Sequence, residues 1–102
     1  MEITLNALSQ LHIKGNIKSP EHFYTIQETT KELLSQGENM VHLLIEDSFS
    51  ITSSVIHYFS QLIRHEAVTV RIDASDPRLY RTLEKLELIG AFNVTLMQKG
   101  ER

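Results

Sequence analysis

Met40-Val41-His42-Leu43-Leu44-Ile45 passes through Glu46-Asp47-Ser48-Phe49-Ser50 into Ile51-Thr52-Ser53-Ser54-Val55-Ile56-His57-Tyr58. The first segment is apolar at nearly every position, the pattern of a central strand covered on both faces. The last opens a helix from about Ser53 to His65, with Val55, Ile56, Phe59, Leu62 and Ile63 on one face. A buried strand leading through a short polar turn into a one-faced helix is half of a β–α–β unit, and it fixes the fold class as α/β.

The chain on either side extends that unit. Downstream, Val68-Thr69-Val70-Arg71-Ile72 alternates cleanly, so one of its faces meets solvent. Asp76-Pro77 caps and starts a helix that carries Leu79, Leu83, Leu86 and Ile89 and stops at Gly90. Val94-Thr95-Leu96-Met97 forms a last strand, with a frayed tail from Lys99 to Arg102. Upstream, Ser19-Pro20-Glu21 supplies a cap, a first-turn proline and a dipole-complementing carboxylate. Phe23, Ile26, Thr30, Leu33 and Leu34 follow at helical spacing, and Gly37 is placed to end the helix in a left-handed conformation. Before it, Ile3, Leu5 and Ala7 alternate with polar residues, as do Leu11, Ile13 and Ile17, so a hairpin turns at Leu8-Ser9-Gln10. Gly15, inside the second strand, predicts a bulge or a close backbone contact. The expected order is ββαβαβαβ: an N-terminal hairpin, then parallel strands joined by right-handed crossover helices.

At 102 residues this is one domain, 1–102. Its charge of −3 and its scattered Lys and Arg give no electrostatic reason to bind nucleic acid or anionic membrane. No apolar run approaches the ~20 residues of a membrane helix, so no membrane insertion is expected. The absence of cysteine rules out disulfides and thiolate metal sites and suits a reducing compartment. Met1-Glu2-Ile3-Thr4-Leu5 has neither the basic start nor the apolar core of a signal peptide, so a cytoplasmic protein is expected. His12, His22, His42, His57 and His65 contain no metal-ligand spacing, and neither metal nor cofactor is called for. His42 reads as a hydrogen-bonded histidine of the central strand.

Thr52, Ser53 and Ser54 place three hydroxyls where a helix leaves backbone N–H groups unpaired and its dipole favours negative charge. Three chemistries suit them: a helix cap, a phosphorylation site or a nucleophile. One hydroxyl suffices for capping, and Ser50 is a further candidate if the helix begins earlier. Ser54 and His57 share a helix face, but no Gly-x-Ser-x-Gly elbow accompanies them, which argues against an enzyme. Glu46 and Asp47, at the end of the strand, are either solvated turn carboxylates or groups that handle phosphate or Mg²⁺ beside the hydroxyls. Phe49, Ile51, Val55 and Tyr58 surround the cluster, and apolar residues beside hydroxyls suit a partner-docking surface.

The element order and the Ser-rich turn after the central strand resemble the STAS domains of bacterial anti-sigma-factor antagonists and sulfate-transporter tails. The resemblance spans essentially the whole chain. Ile13-Lys14-Gly15-Asn16-Ile17 is similar to that family's second strand, and Pro77 to Phe92, with Leu79-Tyr80 and Leu86-Glu87-Leu88, to its last helix and the turn beyond. The family signature reads Asp-Ser-Ser-Gly or Asp-Thr-Ser-Gly. Ser53 and Ser54 occupy its hydroxyl positions, Thr52 stands at its aspartate and Val55 at its glycine. The resemblance implies phosphorylation at Ser54. Thr-Ser-Ser and Pro20-Glu21-His22-Phe23-Tyr24 are also similar to small phosphoproteins that regulate cyclic-di-GMP synthesis, where the modified residue corresponds to Thr52. A third relative, the STAS partner of phospholipid-transport ATPases, works without phosphate.

The resemblance thus implies a non-enzymatic regulatory adaptor for signal transduction. Its protein partner would be an anti-sigma or kinase-like ATPase, a diguanylate cyclase or a transporter ATPase. Phosphorylation at Ser54, Ser53 or Thr52 would regulate it; a constitutive subunit without phosphorylation, or a small enzyme or ligand-binding domain, is the alternative. A homodimer through the free edge of the hairpin is the open alternative to a monomer.

Overall fold

The computed structural model describes residues 1–6 and 10–97. The expected Ala7 end of the first strand, the Leu8-Ser9 part of the expected Leu8-Ser9-Gln10 turn and the tail beyond Met97 lie outside the described residues; Gln10, expected in that turn, instead begins β2, in register with His42. The elements are β1 (Glu2–Leu5), β2 (Gln10–Lys14), α1 (Pro20–Ser35), β3 (Met40–Glu46), α2 (Ser53–Glu66), β4 (Thr69–Ala74), α3 (Pro77–Lys85) and β5 (Val94–Leu96). β1 pairs antiparallel with β2, and the remaining pairs are parallel in the order β1-β2-β3-β4-β5. The expected α/β class and element order are therefore observed.

Each helix start follows from its residues. Ser19 Oγ accepts the His22 N–H at 3.2 Å, and Asp76 Oδ1 accepts the Arg78 N–H at 2.8 Å, each one residue before a proline with φ preset for the helix. α1 ends as expected, with Gly37 at φ +91° donating to the Leu34 carbonyl. Thr30, the polar member of its stripe, is buried and donates to the Ile26 carbonyl at 2.7 Å.

Register converts strand alternation into a layer. Leu11, Leu43, Ile72 and Val94 form one row across the sheet, and Ile13, Ile45 and Ala74 the next; all are buried. Ile26 and Leu33 of α1, Val55, Phe59 and Leu62 of α2, and Leu79 and Leu83 of α3 join them in one apolar cluster. Each such large side chain contributes about 1.5–3 kcal/mol on burial. Phe92, in the turn before β5, is fully buried there and was not marked by periodicity.

Three further expectations are corrected. β3 is not covered on both faces. Val41, Leu43 and Ile45 are buried, but Met40 is 41% exposed and His42, Leu44 and Glu46 are half-buried. The strand order advances in one direction, so crossovers of one hand carry every helix to the same side. Leu44 and Met40 disguise the alternation. α3 stops at Lys85, not Gly90, in a Schellman turn: Leu88 N–H reaches the Leu83 carbonyl and Glu87 N–H the Glu84 carbonyl, with Glu87 left-handed at φ +61°. Leu86 is consequently 51% exposed rather than core. Gly15 lies just beyond β2 rather than within it. Its φ is +97°, and a Cβ there would stand 3.3 Å from Met1 Cα, the close backbone approach anticipated from sequence.

Candidate functional site

The carboxyl ends of β2, β3 and β4 and the amino ends of α1, α2 and α3 share one edge of the molecule, as parallel pairing requires. The β3–α2 loop is pinned there by its own polar groups. Asp47 is left-handed at φ +55° and its N–H reaches Ser75 Oγ at 3.2 Å. Buried Ser48 donates its hydroxyl to the Ser50 carbonyl, and the Phe49 N–H reaches Asn16 Oδ1. Ser50 donates to the Ile17 carbonyl at 3.1 Å, which takes it out of contention as the cap.

Thr52 is the cap of α2. Its Oγ1 accepts the Val55 N–H at 3.4 Å, while its carbonyl takes the first helical bond from Ile56. Ser53 and Ser54 are exposed on the first turn, and their side chains make no hydrogen bond among the described residues. The three hydroxyls thus divide: one closes the helix, two face solvent beside N–H groups that no helical carbonyl reaches.

The proposed apolar surroundings divide too. Phe49 is 46% exposed and lies beneath the Arg78 guanidinium, 4.5 Å from ring centroid to Cζ. Asp76 fixes that cation through Nη2 at 2.8 Å and Nε at 3.1 Å. The same bonds hold the Asp76 carboxyl below the usual carboxylate range and raise the Arg78 guanidinium. Ile51 is half-buried against the core. Val55 is 1% exposed, so it belongs to the core and not to a docking surface; the stripe that starts α2 begins at that residue. Tyr58 is half-buried and meets Phe23 edge-on at 6.1 Å. Burial, with a smaller contribution from Glu28, raises its hydroxyl above the ordinary tyrosine value.

Glu46 and Asp47 do not flank the hydroxyls as a pair. Strand alternation turns Glu46 to the face of the sheet away from the helices, where His12 Nε2 meets its Oε1 at 2.7 Å. Asp47 is exposed in the loop. On that same open face Gln10 Nε2 donates to His42 Nδ1 at 2.9 Å, and His42 Nε2 donates to Asp73 Oδ2 at 2.7 Å. This places the His42 proton on Nε2. His57 Nε2 is bonded to Gln61, one turn on, rather than to Ser54. Among the described residues no group of three His, Asp or Glu side chains is placed to hold a metal. No described helix is long and apolar enough to cross a membrane.

A groove of about 230 Å³ runs between the amino ends of α1 and α2, lined by Lys18, Ser19, Pro20, Phe23, Tyr24, Thr52 and Ser54. Sequence reasoning did not assign Lys18, Phe23 or Tyr24 to the site. One signal was present: Tyr24 falls off the Phe23–Ile26–Thr30–Leu33 stripe, and it is 60% exposed. No family model, curated protein or solved structure matches the chain.

Proposed function

We propose that this domain is a non-enzymatic, STAS-like regulatory adaptor that docks a protein partner at the amino end of α2. Phosphorylation of Ser54, with Ser53 as the second acceptor, weakens that docking. The observation that carries the reading is the division of labour among the three hydroxyls. Thr52 is engaged as cap, whereas Ser53 and Ser54 are exposed and their side chains are unbonded among the described residues. A kinase can reach them without breaking the helix start. The added charge, about −1.5 to −2, meets unpaired N–H groups and the positive helix end, so the fold tolerates it. An apolar or acidic partner surface meets a new anion.

The partner classes are those of the resemblance: a kinase-like ATPase, a diguanylate cyclase or a transporter ATPase, in the cytoplasm. Sheet topology favours binding over small-molecule catalysis. The order β1-β2-β3-β4-β5 never reverses, so the sheet lacks the switch-point crevice in which open α/β folds hold ligands.

The test is co-purification from the native cell with wild type, Ser54→Ala and Ser54→Asp, combined with phosphate mapping by mass spectrometry. The switch predicts a partner held by wild type and Ser54→Ala and released by Ser54→Asp. The same partner on all three, with Ser50 to Ser54 unmodified, leaves a constitutive adaptor and removes the switch.

A further inference from the structure

We infer that the α1–α2 groove is the partner's anchoring site and takes a short segment that carries a carboxylate beside an apolar side chain. This rests on the adaptor reading and names the chemistry of its partner. Seven residues line the groove, and only Lys18 among them is ionised. On a chain of net charge −3, the lining itself carries a positive formal charge. Glu21, on the first turn of α1, is close in sequence but not in the lining.

The polar lining is donor-rich. Ser19 Oγ accepts from His22 N–H and Thr52 Oγ1 from Val55 N–H, so each of these hydroxyls has a lone pair occupied and keeps its proton to donate. Ser54 brings a third hydroxyl, unbonded among the described residues, and Lys18 an ammonium. A carboxylate is an acceptor-only group and complements that set, whereas an ammonium or guanidinium does not. Both helix dipoles add to the preference.

The remaining wall is Pro20, Phe23 and Tyr24. Phe23 packs between Tyr58 and Tyr24, at 6.1 and 5.4 Å between ring centroids, while Tyr24 keeps most of its ring in solvent. Tyrosine is among the residue types enriched in the energetic anchors of interfaces, and a partner seated in the groove would cover this ring. Ser54 lies in the lining itself, so a phosphoryl group there competes with the incoming carboxylate for the same donors. The switch then acts by occupancy as well as by repulsion.

The experiment selects short random peptides displayed on phage against the full chain. The best peptide is then synthesised and titrated into isotope-labelled protein, with amide shifts as the readout. The expected sequence has Asp or Glu within two positions of Phe, Trp or Leu, and shifts centre on residues 18–24 and 52–55. Changing its acid to the amide weakens binding about tenfold, as loss of charge-assisted bonds requires. Lys18→Met and Tyr24→Ala on the protein weaken it similarly; both positions are exposed, and amide dispersion verifies that each variant is folded. Equal affinity for the amide peptide, or no selectable peptide, overturns the inference. Shifts centred on Phe49 overturn the groove but leave the adaptor reading intact, whereas shifts centred on the open sheet face overturn both the groove and docking at the amino end of α2. Failure of the cellular co-purification removes the adaptor itself.

Discussion

Replacing Thr52 with alanine separates the cap from the two exposed serines. Thr52 Oγ1 is the only side-chain acceptor for the first-turn amides of α2 among the described residues. An N-cap Thr→Ala change costs about 0.5–2 kcal/mol. The bond is 3.4 Å long, beyond the ~2.9–3.0 Å optimum for N–H···O, so the loss falls in the lower half, about 0.5–1 kcal/mol. With a urea slope of about 1.5 kcal/mol/M for a chain of this size, the unfolding midpoint falls by roughly 0.3–0.7 M. Ser53→Ala and Ser54→Ala remove hydroxyls that bond to nothing among the described residues and put a better helix former on the first turn. Their midpoints stay level or rise by an amount worth a few tenths of a kcal/mol. Thr52→Asp restores a good cap and returns the midpoint to the wild-type value. Equilibrium unfolding followed by far-ultraviolet circular dichroism measures all four. A Ser54→Ala loss as large as that of Thr52→Ala would refute the division, because Ser54 would then be structural and its modification would damage the fold.

Other elements make their own predictions. Gly15→Ala costs about 1–2 kcal/mol, from an L-residue held at positive φ, with the contact to Met1 Cα in addition; a urea midpoint unchanged from wild type rules this out. Phe59→Ala empties the contact between α2 and the sheet and costs about 3–5 kcal/mol, whereas Tyr24→Ala stays within about 0.5 kcal/mol because its ring is mostly in solvent. Asp76 has its folded-state value lowered by Arg78. Its contribution is therefore present above the unfolded carboxylate value of about 3.9 and is lost as pH falls through the folded one. Asp76→Asn flattens that acid limb in unfolding measured from neutral to acid pH, and an unchanged limb would place the acid sensitivity elsewhere.

Much of this fold was legible because its elements are punctuated locally. Ser19-Pro20 and Asp76-Pro77 mark helix starts whatever lies around them, and Gly37 marks an end. What stayed hidden depends on tertiary context. The strand Met40–Glu46 reads as buried throughout because Leu44 and Met40 are apolar, yet only the sheet order decides that one face is bare. The end of α3 depends on Glu87 adopting a left-handed conformation that its residue type does not advertise; closure of Leu88 back onto Leu83 settles it. At the site, Thr52, Ser53 and Ser54 look equivalent in sequence, and the phase of the helix alone assigns one as cap. The same phase turns Val55 inward and removes it from the proposed contact surface. The groove draws on two elements, about thirty residues apart from Lys18–Tyr24 to Thr52–Ser54, and local periodicity does not register such long-range pairing.

Two polar surfaces compete for the role of contact surface, and their hydrogen bonding separates them. The open face of the sheet is rich in chemistry-bearing side chains, but these are largely satisfied by one another. His42 uses both ring nitrogens, on Gln10 and Asp73, and His12 is paired with Glu46. Asp73 Oδ1, the one buried side-chain oxygen without a hydrogen bond among the described residues, has Arg71 Nε at 3.6 Å, so its charge is balanced from within the face. A partner docking on that face must break existing pairs before making its own, and each half-buried group left unmatched costs about 1–3 kcal/mol. At the amino ends of α1 and α2 the situation is reversed. The Ser54 hydroxyl, the protons of the two cap hydroxyls, the Lys18 ammonium and most of the Tyr24 ring are committed to solvent rather than to the fold. Contacts made there are additions, not exchanges, which favours the helix ends over the sheet face as the surface on which the proposed phosphate switch would act.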